Sequence, residues 1–463
     1  MAFDPITAEI RFGTGLSPLV APPGSVAAML DALTGPDMIA ARFPIPSYEE
    51  FRTHIVAVQR TGKAFRDDKT GPDAAALRKA YDRAKQAARR DQSRWMMQVL
   101  ARRSHTADGF RERLAAFWGD HFTVRGKGAA MRRAGAVHVE SYVRPHVAGR
   151  FADLLIAAAT SPVMVNYLDQ QFSVGPNAPA RARMPATRGL NENLAREVLE
   201  LHTLGVDGPY SQDDVRQLAE LLTGLAIGPG GVPEFRDDWA EPGAETVLGR
   251  SYGGGAAALA DIQAALSDLV VHPATARHLS WKLAVHFIAD DPDPSLVQAM
   301  QDAWLATGGD LLPVYRAMLD HPAAWAPERR NVKPPFDFFS SALRALAVDP
   351  EPIRGKPNDV EQRIRKLFLI PLTRMGQRWD EPGGPDGWPE EDEAWITPQG
   401  LAARLEWALQ VPRVLTDLPD PREFALQALG PAAPETVRFA ARAAESRHEG
   451  IALVLISPAF QRR

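Results

Sequence analysis

Apolar residues recur at intervals of three and four along most of the chain, and this spacing constrains the fold more than any other feature. It predicts helices over 78–102, 109–121, 137–159, 190–204, 213–225, 256–271 and 273–288. Further helices are expected over 295–307, 310–320, 336–347, 359–368, 398–410 and 436–445. Many begin at Asp, Ser, Thr or Pro, which satisfy or spare the free N–H groups of a first turn. Alternating segments suited to strands are few. The best are 234–239 and 245–248, parted by Pro242-Gly243, and they are expected to pair. The fold class expected is therefore mainly α, a large multi-helical assembly with one small β-hairpin near residues 234–248. No fixed-period repeat or clean linker interrupts residues 1–463, which read as a single helical domain with room for two lobes meeting near residue 230.

Composition narrows the chemistry. With 45% hydrophobic and 24% charged residues, whole-chain disorder is excluded. The absence of cysteine excludes disulfides, thiolate metal sites and a cysteine nucleophile. No apolar run approaches the ~20 residues of a membrane-spanning helix. Acids and an arginine near the start (Asp4, Glu9, Arg11), followed by a break at Ala21–Gly24, leave no legible export signal, so a cytoplasmic location is expected. Net charge is -4, yet residues 52–150 hold 22 Lys/Arg against 9 Asp/Glu. Such a segment either forms a basic surface for an anionic partner or turns its arginines toward water and the acidic remainder of the molecule. Arg78, Lys79, Arg83, Lys85, Arg89 and Arg90 spread around a helix with few aromatics among them, so nucleic acid is not an expected partner.

On a helical wheel, residues 190–204 place Leu190, Leu194, Val198, Leu201 and Leu204 on one stripe, with Glu197 in its middle. Glu192, Arg196 and Thr203 project to the far side, while His202 lies on a border. A carboxylate facing inward needs a partner or a raised pKa, because burying it ionised and alone costs several kcal/mol. Three partners are conceivable: an arginine, His121 among Phe117, Trp118 and Phe122, or a divalent cation. In the first case Glu197 is a brace between helices. In the others Glu197 and His121 form a polar cleft, supported by Asp120, Glu200 and His202, with Glu197 as general base and His121 as general acid. The metal version uses Glu197, His121 and His202 as ligands to one divalent ion. Arg196 and Lys333 are candidate anion contacts. No His-Glu-x-x-His occurs, and this helix lacks the Glu-x-x-His spacing of a two-metal bundle.

Other segments compete. Gly249-Arg250-Ser251-Tyr252-Gly253 fits the Gly-x-Ser-x-Gly of a nucleophile elbow, though such an elbow needs a large parallel sheet. His278, Lys282 and His286 share one side of a helix that is otherwise largely apolar. Trp379, Trp388 and Trp395 lie among Asp380, Glu381, Asp386, Glu390 and Glu391, a mixture suited to sugar stacking and hydroxyl recognition, with Trp388 the candidate substrate contact, and suited even better to anchoring a long loop on the helical body while the acids keep it soluble. Ser211 and Asp214 have the spacing of a capping box.

The run Asn191-Glu192-Asn193-Leu194-Ala195-Arg196-Glu197-Val198-Leu199-Glu200-Leu201-His202, continued by Tyr210-Ser211-Gln212-Asp213-Asp214-Val215, resembles the core motif of the bacterial domain-of-unknown-function family 1800. Phe117-Trp118-Gly119-Asp120-His121-Phe122, His272-Pro273-Ala274-Thr275-Ala276, Asn331-Val332-Lys333-Pro334-Pro335-Phe336 and the tryptophan loop before Ile396 extend the likeness over nearly the whole chain. The resemblance implies no particular reaction. It implies relatives that are often exported and encoded beside a protein resembling alkaline phosphatases and sulfatases. Where relatives tend to carry His-Asp-Pro-Gly, this chain has Ala240-Glu241-Pro242-Gly243. Two functions are therefore expected in competition: metal-assisted or acid–base hydrolysis of an anionic or carbohydrate substrate, and a non-catalytic scaffold for a phosphatase- or sulfatase-like partner.

Overall fold

The computed structural model describes residues 3–185 and 188–463, and helices dominate it. Their ends follow from local chemistry. α1 (Tyr48–Asp67) opens with a reciprocal cap between Ser47 and Glu50. α2 (Ala74–His105) is 32 residues long and packs along α1. α3 (Gly109–His121) is capped by Asp108 and has the bounds expected from periodicity. α4 (Asn193–Glu197) runs into a π-helical turn, Val198–Thr203. α5 (Gln212–Leu221) begins with the Ser211–Asp214 capping box expected from the sequence. α6 (Pro273–Phe287), α7 (Pro335–Ala345) and α8 (Pro398–Gln410) start on prolines, whose missing N–H would have been unpaired there anyway.

Two expectations need correction. The single helix over 137–159 is broken into Gly135–His138, a π-helical turn Val139–Val143, a 3-10 turn Arg144–His146 and a helix Phe151–Ala159. Pro145 has no N–H to continue the ladder. The segments 234–239 and 245–248 do not pair with each other. Instead β1 (Leu225–Ile227) pairs antiparallel with β2 (Pro233–Phe235), and β3 (Ala244–Val247) with β4 (Arg250–Gly253). Leu248 and Gly249, at φ 51° and 76°, form a two-residue turn that folds β3 straight back on β4. Ser251 is exposed on β4, so the Gly-x-Ser-x-Gly segment is a hairpin edge and not a nucleophile elbow. Residue 230 lies in the turn between β1 and β2, where Arg52 Nε donates to its carbonyl at 3.1 Å.

Buried apolar side chains gather into two cores. The first holds Phe12, Phe51, Trp95, Phe117, Trp118, Phe151 and Trp304; the second holds Met96, Leu100, Phe338, Phe339, Trp407 and Phe460. The change from one to the other falls between Trp325 and Phe336. α2 belongs to both, because Trp95 and Met96 are successive residues about 100° apart around the helix and face different cores. The start of the chain also crosses over: Glu9 pairs with Arg344 of α7 at 3.2 Å, and Arg344 Nε donates to the Gly15 carbonyl at 2.6 Å.

The basic segment turns partly inward. Arg102, Arg103, Arg111, Arg113 and Arg144 are all buried, each facing carboxylates of the same chain. Among the described residues, no helix is long and apolar enough to cross a membrane.

Candidate functional site

A cavity of about 210 Å³ opens between the two cores. Its walls come from α2 (Arg102, Arg103), α3 (Gly119, Asp120), the segment 135–140, the start of α7 (Phe336, Asp337) and the tryptophan loop (Trp379, Asp380, Trp388, Glu390). Two carboxyls of the walls hold this loop in place. Asp120 accepts the Trp388 amide with both oxygens at 3.1 Å. Gly387, next to it, has φ +83°, and a Cβ there would lie 2.7 Å from Asp120 Oδ2, so only glycine fits. Asp380 accepts from Gln92 Nε2 at 3.2 Å and from the Ala136 amide. Burial raises Asp380 to about 6.

Asp120 and Glu390 share the cavity wall but are driven apart in proton affinity. Burial and the negative charge of Glu390 push Asp120 up to about 8, against the opposing Trp388 amide and Lys282. Burial also works to raise Glu390, but His286, Arg463 and Lys282 outweigh it and hold Glu390 below the ordinary carboxylate value. The His286 tautomer follows from its partners. Arg113 can only donate, at 2.9 Å to Nε2, so Nδ1 carries the proton and donates to both Glu390 oxygens at 2.9 Å. Burial keeps His286 neutral, with its pKa pushed down to about 4. At neutral pH the wall thus presents a protonated Asp120 and an ionised Glu390. Such a divergence in one cleft suits one group to give a proton and the other to take one.

Aromatic surfaces complete the wall. Trp388 lies 6.2 Å from Trp395, centroid to centroid, and Trp395 Nε1 donates to the Pro389 carbonyl at 3.0 Å. Trp379 packs against Phe336 at 4.8 Å, and its Nε1 is buried with no partner among the described residues.

The residues singled out from sequence fall in several places. Glu197 ends α4 half-buried, and burial with the charges of Glu200 and Asp386 pushes it up to about 7. His121 is buried at the end of α3 and stays neutral, because burial and Lys282 hold it well below its ordinary value. Lys282 Nζ lies 3.3 Å from His121 Nδ1, so Nε2 carries the proton toward the His202 carbonyl, also at 3.3 Å. No hydrogen bond or ion pair joins Glu197 to His121 among the described residues. His202 is 1% exposed, packed on Phe122 at 4.9 Å, and burial lowers it to about 3. No group of three or more His, Asp or Glu side chains among the described residues could hold a metal ion. Arg196 is engaged by Glu192, Glu200 and Gln212. Lys333 is buried, with Nζ 4.0 Å above the Phe460 ring. Trp388 lies in the cavity wall together with Asp120, which the sequence names only in support.

The helix face carrying His278, Lys282 and His286 links these groups. His278 Nδ1 lies 2.8 Å from the Thr203 carbonyl, Lys282 reaches His121, and His286 reaches Glu390. Sequence reasoning saw the four-residue spacing but not its partners, and it missed Asp337. That carboxylate faces Arg103, Arg113 and Arg463.

Comparison with known proteins gives one family. The family model described as Protein of unknown function (DUF1800) matches residues 11–462. No curated protein and no solved structure matches the chain.

Proposed function

We propose that this chain, which belongs to the DUF1800 family, is an acid–base hydrolase whose cavity takes a polyhydroxylated substrate of the carbohydrate class. The observation carrying this reading is the pair Asp120 and Glu390: two carboxyls in one cavity wall, one protonated and one ionised at neutral pH, beside two tryptophans. Asp120 supplies the proton to a leaving oxygen. Glu390, oriented by the His286 N–H, serves the opposite half of the reaction by drawing a proton from water. Trp379 and Trp388 offer apolar faces for a sugar ring. Glu197 and His121 move to supporting positions in this reading, His121 by holding Lys282 near the carboxyl pair. No step uses a metal.

Titration of tryptophan emission with mono- and oligosaccharides tests binding, and release of nitrophenol from a panel of nitrophenyl glycosides tests turnover. Expected is a saturable emission change in the wild type that Trp388→Ala removes. Turnover is expected to fall about 10²-fold or more in Asp120→Asn and Glu390→Gln, with their melting points kept. No emission change with any sugar, or equal turnover in the two variants, overturns the reading.

The alternative expected from the sequence, a non-catalytic scaffold, would have the exposed apolar side chains Leu401 and Leu405 of α8 and Phe439 to offer a partner protein of any kind.

A further inference from the structure

Buried guanidinium groups are matched nearly everywhere in this molecule. Arg102 has Glu140, Arg344 has Glu9, Arg144 has both Asp37 and Glu112, and Arg11 donates to the carbonyls of Ala324, Ala326 and Glu328. Around Asp337 the balance reverses. Arg103, Arg113 and Arg463, each no more than 3% exposed, all bond to this single carboxylate. The Nε atoms of all three are buried without a partner among the described residues, as are those of Arg11 and Arg404, so it is the sharing of one carboxylate by three guanidinium groups that sets this cluster apart. Lys333, 4% exposed, adds a fourth basic group, its Nζ lying over the Phe460 ring. Glu390, which interacts with Arg463 and Arg113 through its charge, offsets part of this excess, and the four basic groups still outnumber the two carboxylates. Buried cations in excess of their counter-charges are costly unless something else supplies the missing charge.

Of these basic groups Arg103 reaches the cavity, in whose wall Asp337, His286 and Pro334 also stand, while Arg113, Arg463 and Lys333 lie behind it around Asp337 and Phe460. We infer that this end of the cavity is a binding site for an anionic group of the ligand, a carboxylate, sulfate or phosphate, received by Arg103 at the wall with Lys333, Arg113 and Arg463 behind it. The inference rests on the acid–base reading for its substrate, which becomes an acidic carbohydrate, but not for the existence of the site. The state of Lys333 is consistent with it: burial, Arg329, Arg463 and Arg113 hold the amine well below its ordinary value, while Asp337 alone among its strongest neighbours opposes them. An arriving anion removes that obstacle to protonation.

The test is thermal melting of the full chain with sodium sulfate, phosphate or acetate against sodium chloride at matched ionic strength. At least one of the three is expected to raise the midpoint saturably by about 3 °C or more, and which one does so identifies the group. Lys333→Met, which keeps the packing on Phe460, is expected to abolish the rise, and Asp120→Asn to keep it. Should Lys333→Met fail to fold, Arg463→Gln is expected to weaken the anion at least about tenfold. All three anions behaving as chloride, or a rise undiminished in the cluster variant that folds, overturns the inference. Anion binding with no sugar turnover sinks the acid–base reading alone. Turnover of sugars without any anion effect sinks this inference alone.

Discussion

Asp120 and Glu197 are both carboxyls pushed toward neutrality, to about 8 and about 7, yet they occupy different kinds of place. Asp120 stands in a cavity wall, fixed by the Trp388 amide and set beside a second carboxylate of opposite protonation. Glu197 is half-buried at the end of a short helix, makes no hydrogen bond or ion pair among the described residues, and has Glu200 and Asp386 as charged neighbours whose effect outweighs that of Arg196. A raised pKa alone therefore does not distinguish a reactive carboxyl from a crowded one. What separates them is a cavity, a fixed orientation and a complementary partner.

The largest expected difference is in rate. Asp120→Asn should cost about 10²–10⁴-fold in turnover, and Glu197→Gln less than about twofold. Steady-state kinetics on the same substrate decides it, and comparable losses would erase the contrast. A smaller effect concerns titration. Because the charge of Glu390 helps to raise Asp120, Glu390→Gln should move the Asp120 midpoint down by about one unit or more, read by carbon-13 NMR of the carboxyl. Glu197, whose shift comes from burial, Glu200 and Asp386, should stay where it is. An unmoved Asp120 would mean that burial alone sets its value.

The smallest effect is on stability against pH. Both carboxyls hold a proton in the folded state that the unfolded chain releases near its ordinary value, 3.8 for Asp120 and 4.5 for Glu197. The folded state then binds more protons than the unfolded one, so their contribution is most favourable below pH 4 and declines as pH rises toward 8 for Asp120 and 7 for Glu197. Urea unfolding between pH 5 and pH 8 should show this decline in the wild type. It should be flatter in Asp120→Asn, and less so in Glu197→Gln, whose side chain is partly solvated. Equal flattening in both variants would place the two carboxyls in equivalent environments.

Periodicity was a sound guide wherever a helix kept 3.6 residues per turn. The bounds of α3 and α8 were readable in full, and those of α6 to within one residue. The same reasoning misplaced side chains beyond Glu197. The π-helical turn Val198–Thr203 takes up extra residues per turn, so positions after Val198 rotate away from a wheel drawn at 100° per residue. Thr203, expected on the far side, is fully buried with its hydroxyl donating to the Val198 carbonyl at 2.7 Å, and His202 turns inward. Leu201, expected in the stripe, is only half-buried. The cavity was beyond periodicity altogether, because it joins Asp120 to a loop 268 residues further along the chain. Its parts were visible singly, as the tryptophans among acids and the His278, Lys282, His286 face. Their meeting is tertiary.

The long helix α2 has a bearing on how the molecule comes apart. Since Trp95 faces one core and the adjacent Met96 the other, neither half can melt without stripping one side of a helix that the other half still needs. The pair should act as one cooperative unit, giving a single calorimetric transition in which the calorimetric and van't Hoff enthalpies agree. Whatever occupies the space between the cores then reinforces both together, as a keystone does the two flanks of an arch.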